Sequence, residues 1–142
     1  MEMNLNGRKV KFQVARSNLK EQIAKHLGIS ESEIPDGMVQ YDPETNTVLV
    51  DKNTSGTYAR YAALHECICA GPYKALAPKT TNPSKRCGLI DRMIIKIMPK
   101  SERKDYVSQR IKLFEAMIEY NLNPAKDKQF REALASLKSI SE

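Results

Sequence analysis

The sequence predicts an α+β fold: a small antiparallel sheet packed by helices on one face, with a helical C-terminal half. Three observations carry this. Val10, Phe12 and Val14 alternate with polar residues, a strand signal. Two β-prone runs, Met38 to Tyr41 and Thr47 to Val50, flank the turn-forming Asp42-Pro43-Glu44-Thr45-Asn46, which reads as a hairpin. Beyond Thr54 the apolar residues recur mostly at helical spacing.

In chain order, the first strand is followed by a helix that Ser17 can cap, with Leu19, Ile23 and Leu27 on one face and Gly28 as its stop. Ser30 and Glu33 form a capping-box pair, but Pro35-Asp36-Gly37 ends that turn almost at once. After the hairpin, Thr54 or Ser55 caps a helix through Ala70, closed by Gly71-Pro72. Pro72, Pro78 and Pro83 mark a surface loop. A helix follows from about Ser84 to Met98 and stops at Pro99. The next runs from near Ser101 to Tyr120, with Val107, Ile111, Phe114 and Ile118 at helical spacing. Asn123 and Pro124 open a last helix carrying Phe130, Leu134 and Leu137, so residues 101–140 form a helical pair. With 142 residues and no internal repeat, one domain spanning 1–142 is expected.

Composition bounds the function. No stretch approaches the roughly 18 apolar residues of a membrane helix, so no membrane partner is expected. Glu2, with no apolar run after it, does not open a signal peptide. Three cysteines spaced by two and then eighteen residues do not make a disulfide framework. A water-soluble cytoplasmic protein with free or metal-bound thiols is the expectation. The net charge of +6 sits unevenly: residues 1–50 balance 6 bases against 7 acids, and the rest carries 17 against 10. Lys74, Lys79, Lys85 and Arg86 lie in a stretch without an acid, which suits a solvated loop, an acidic protein or nucleic acid.

Gln22 to Ser30 imitates the start of a DNA-binding helix-turn-helix. A recognition helix must be long enough to lie in the major groove, and Pro35 leaves this one only Ser30 to Ile34. The segment reads as an amphipathic helix with His26 exposed beside Lys25.

The chemistry concentrates in Tyr61-Ala62-Ala63-Leu64-His65-Glu66-Cys67-Ile68-Cys69. Residues four apart share a helix face, so His65 and Cys69 point the same way, and Glu66 is turned about a quarter of a turn from His65. His-Glu-x-x-His uses this arrangement in zinc peptidases: two ligands from one face hold the metal and the glutamate activates water. Here Cys69 stands for the second histidine, and a thiolate is a good Zn²⁺ ligand. Cys67 lies on roughly the opposite side, as a small buried hydrophobe.

The chain resembles the ImmA/IrrE-type zinc metallopeptidases, bacterial and phage proteins that cleave repressors. In that family a short strand leads into the zinc-binding helix, as Thr47 to Val50 leads towards His65 here. A glutamate opening a later helix is the third ligand; that helix also carries Asn or Asp and ends at a proline. Cys87-Gly88-Leu89-Ile90-Asp91-Arg92-Met93-Ile94-Ile95-Lys96-Ile97-Met98-Pro99 is similar, with Asp91 and Pro99 at the family's positions and Cys87 where the third ligand falls. The likeness covers about residues 38 to 99. Both ligand positions that depart from the pattern depart to cysteine, which is again a zinc ligand. The resemblance therefore implies a zincin-like helix and a Zn²⁺ set of His65, Cys69 and Cys87, with a fourth position open.

Two thiolates offset the charge of Zn²⁺ and weaken it as a Lewis acid, although Cys₂His sites do support catalysis. Three functions compete: a zinc hydrolase of a protein or peptide partner with Glu66 as general base; an inactive peptidase-like scaffold that binds an acidic protein or nucleic acid; and an interaction module whose C-terminal helices form a dimer surface. Asp91, one turn beyond Cys87, either orients a ligand or faces solvent, and solvent is the simpler expectation. Tyr58 and Tyr61 either reach the site or pack in the core with hydroxyls at the surface. His26 is a remote candidate for the fourth ligand.

Overall fold

A computed structural model describes residues 2–5 and 7–141. Met3, Leu5 and Val10 point inward from a two-stranded antiparallel ribbon, β1 (Glu2–Leu5) and β2 (Arg8–Lys11), and Phe12 just after it is buried too. The single strand expected around Val10 to Val14 is thus two. The chain breaks at Phe12, and β3 (Gln13–Ser17) leaves for a second sheet of order β3-β5-β4. There β4 (Val39–Asp42) and β5 (Thr47–Asp51) form the expected antiparallel hairpin, while β3 runs parallel to β5. The alternation of Val10, Phe12 and Val14 holds across the break, which hides it in the sequence.

Between β3 and β4 lies α1 (Leu19–Leu27), ended by Gly28 in the left-handed region at φ 70°. Ser17 does not cap it. Ser17 finishes β3, Asn18 takes the cap position without a side-chain bond, and Asp51 of β5 accepts the free Lys20 N–H at 2.9 Å. A buried carboxylate from the sheet thus supplies the missing acceptor of the first turn. The Ser30 and Glu33 capping box forms, but on a three-residue 3₁₀ turn, so no recognition helix follows.

Ser55 caps α2 (Gly56–Cys69), accepting the Tyr58 N–H. Residues 58, 59, 61–65, 67 and 68 of this helix are buried, so it crosses the middle of the core. The loop that follows contains two 3₁₀ turns, at 74–76 and 83–85. Then come α3 (Arg86–Ile97), α4 (Lys100–Glu119) and α5 (Asp127–Ser141). A Cβ on Gly88 of α3 would stand 3.4 Å from the Ala133 Cα, so the glycine lets α5 lie close to α3.

The main apolar cluster draws on both ends of the chain, from Leu5 and Val10 to Phe130 and Leu137. A smaller one gathers Leu19, Ala24, Ile34, Met38 and Leu113. The inner face of the C-terminal helices (Val107, Phe114, Phe130, Ala133, Leu137) is used inside the chain. Among the described residues no helix is long and apolar enough to cross a membrane.

Candidate metal centre

A cavity of about 520 Å³ lies between the two apolar clusters, and the sequence-selected residues meet on its wall. His65 and Cys69 come from α2, one turn apart, and Cys87 from the first turn of α3. Their candidate ligand atoms all lie within 4.8 Å of one another. Tetrahedral zinc with Zn–S near 2.3 Å and Zn–N near 2.1 Å sets ligand atoms roughly 3.5–3.8 Å apart. The three are therefore within about 1 Å of that spacing. Cys67, 1% exposed, belongs to the core, as its helical phase requires.

Asp91 fixes the histidine. Its Oδ1 lies 2.9 Å from His65 Nδ1, accepts the Tyr106 hydroxyl at 2.7 Å, and leaves Oδ2 to the Arg110 Nε at 3.3 Å. A proton held on Nδ1 by a carboxylate frees the Nε2 lone pair for a metal. The expectation that Asp91 faces solvent is overturned. It is 0% exposed, because His65 of α2 and Tyr106 and Arg110 of α4 close over it. Tyr58 is likewise enclosed, its hydroxyl donating to the Gly37 carbonyl, and Tyr61 donates to Glu102. Neither tyrosine reaches the ligand atoms by a hydrogen bond. Sequence reading missed Arg110 and Tyr106. Their signal was the position of Arg110 on α4, three residues after Val107 and four before Phe114, a lone guanidinium on an apolar face.

The electrostatics follow from this packing. Burial works against a charged imidazole, but Asp91 outweighs it and raises His65 to about 9. Burial also opposes the Asp91 carboxylate, yet Arg110 and His65 hold it well below the usual carboxylate range. Cys69 is lowered, chiefly by sharing the Cys87 proton and then by His65, against the effect of burial. Cys87 is raised correspondingly, and its thiol also meets Gln129 Oε1 of α5 at 3.4 Å. Glu66 is half-buried on the same cavity; burial raises it, with His65 pulling the other way.

His26 lines the cavity from α1 but is not in the ligand group. Of the four bases in the acid-free stretch, Lys74, Lys79 and Lys85 are exposed. Arg86 is half-buried and donates to the Ile68 and Cys69 carbonyls at the end of α2. It therefore serves the helix that carries two of the three candidate ligands.

Compared with family models, curated proteins and solved structures, this chain matches none.

The donor set fits zinc. One imidazole and two thiols suit a borderline-soft cation, and three protein ligands beside an open cavity leave a fourth position accessible. A purely structural site is closed by four protein ligands, and no fourth His, Cys, Asp or Glu joins this group among the described residues.

Proposed function

We propose that this protein is a zinc-dependent hydrolase acting on a protein or peptide. His65, Cys69 and Cys87 hold the metal, and Glu66 is the general base. The observation that carries the reading is the meeting of these three ligand atoms, within 4.8 Å, on a cavity that Glu66 also lines. The resemblance to ImmA/IrrE-type peptidases, over about residues 38 to 99, points the same way. Zinc in such a site supplies Lewis acidity and lowers the pKa of water. Glu66 takes a proton from the attacking water, and its raised pKa brings it nearer to the working range of a base at neutral pH. Asp91 keeps the His65 ring in one orientation and one tautomer.

The two thiols favour a second reading, since they weaken the acid strength of the metal. In it the chain is a binding protein built on a peptidase-like scaffold. Glu66 separates the two. Glu66→Gln is expected to retain zinc and lose peptide hydrolysis by about 10²–10⁴-fold, read with fluorogenic peptide mixtures and elemental analysis. Hydrolysis at the wild-type rate in that variant removes Glu66 from the mechanism. Absence of hydrolysis in zinc-loaded wild type favours the scaffold.

A further inference from the structure

The cavity has two kinds of wall. Leu19, Ile23, Met38, Leu113 and Met117 make one side apolar, and the other includes the ligand group and Arg110. Arg110 is outside the candidate ligand group, and its side chain is 1% exposed. Its Nε is bonded to Asp91, and the Phe114 ring lies 4.8 Å from the guanidinium carbon. Nη1 is buried without a hydrogen-bond partner among the described residues.

Asp91 divides its oxygens among His65, Tyr106 and the Arg110 Nε. Tyr58 donates its hydroxyl to the Gly37 carbonyl and turns its oxygen to the guanidinium, which still leaves Nη1 without a partner among the described residues. A guanidinium offers five donors and no acceptor. A buried charged donor without an acceptor is a destabilising arrangement that an incoming oxyanion relieves. The flat fork of the guanidinium matches the two oxygens of a carboxylate better than a single carbonyl. The apolar wall across the cavity selects what that carboxylate is attached to.

We propose that Arg110 makes this cavity a receptor for a carboxylate carried on an apolar group. The free C-terminal residue of a peptide and a small aliphatic carboxylic acid share that chemistry. The anchor is the guanidinium, with or without a bound metal, so this inference and the zinc reading fail separately.

The test compares N-acetyl-leucine, N-acetyl-leucinamide and 4-methylpentanoate by calorimetric or NMR titration, on zinc-loaded and on metal-free protein. The expected result is that N-acetyl-leucine binds about tenfold or more tightly than its amide in both forms. Tighter binding of N-acetyl-leucine than of 4-methylpentanoate assigns the site to a peptide C-terminus; the reverse assigns it to a free carboxylic acid. Equal affinity for acid and amide overturns the proposal, and so does an acid preference seen only with zinc bound. Lys126 is the other permanent cation on the cavity, and Lys126→Ala is expected to keep the preference. Its disappearance there moves the anchor to Lys126 and overturns the assignment. Arg110→Lys retains a charge without the fork and is expected to keep only part of the preference. The titrations on wild type and on Lys126→Ala decide the matter even if the Arg110 variant does not fold.

Discussion

Asp91 accepts hydrogen bonds from His65, Tyr106 and Arg110, so neutralising it reaches the candidate metal centre through one imidazole. Asp91→Asn is expected to weaken zinc binding by about 10–100-fold, the usual cost of removing such a partner. Competition with a chromophoric chelator on the folded variant measures it, and unchanged affinity contradicts the orienting role. The same carboxylate gives the metal-free protein a pH signature. The folded pKa of His65, about 9, lies above its ordinary 6.5. Its contribution to stability is therefore complete below about pH 6.5 and is lost as pH rises through about 9. Urea midpoints of metal-free protein should fall across that window, and the fall should be smaller in His65→Gln. A wild-type profile as flat as that of the variant contradicts the pairing.

At the scale of elements, α2 is fixed at both ends by groups outside it. Ser55 closes the start, and Arg86 reaches back from α3 to the Ile68 and Cys69 carbonyls. This holds Cys69 and Cys87 near each other independently of any metal. Arg86→Ala is expected to cost about 1 kcal/mol, since its two bonds are long at 3.3 and 3.4 Å. Urea unfolding reads this, and an unchanged midpoint removes Arg86 from the support of α2. The helices and the hairpin were legible in the sequence because their signals are local: Gly28, Ser55, Pro99 and the turn at 42–46. The break at Phe12 and the parallel pairing of β3 with β5 were not, because strand alternation does not say which neighbour a strand takes. The cap of α1 was misplaced for a related reason. Its acceptor, Asp51, lies 31 residues away in sequence.

Across the whole molecule, the cavity is lined by residues of both apolar clusters, Leu19, Met38 and Leu113 on one side and Cys87, Phe114 and Phe130 on the other. Helical phase alone placed His65, Cys69 and Glu66, and family likeness placed Cys87. The buried chain His65–Asp91–Arg110 joins α2, α3 and α4, and only tertiary packing shows that Asp91 turns inward. The main cluster spans the chain through apolar contacts, so if zinc is bound its removal is expected to lower the melting temperature and leave the fold. Zinc in excess should restore it by mass action, through binding to the native state alone. Far-UV circular dichroism during a chelator titration checks this, and loss of helix at room temperature on metal removal contradicts it.

The central claim is that His65, Cys69 and Cys87 form one metal site, and zinc content tests it most directly. Elemental analysis of protein purified without chelator, beside Cys69→Ala and Cys87→Ala, is expected to give one zinc per chain in wild type and none in either variant. Wild type that carries no zinc, and takes up none on titration, contradicts the claim.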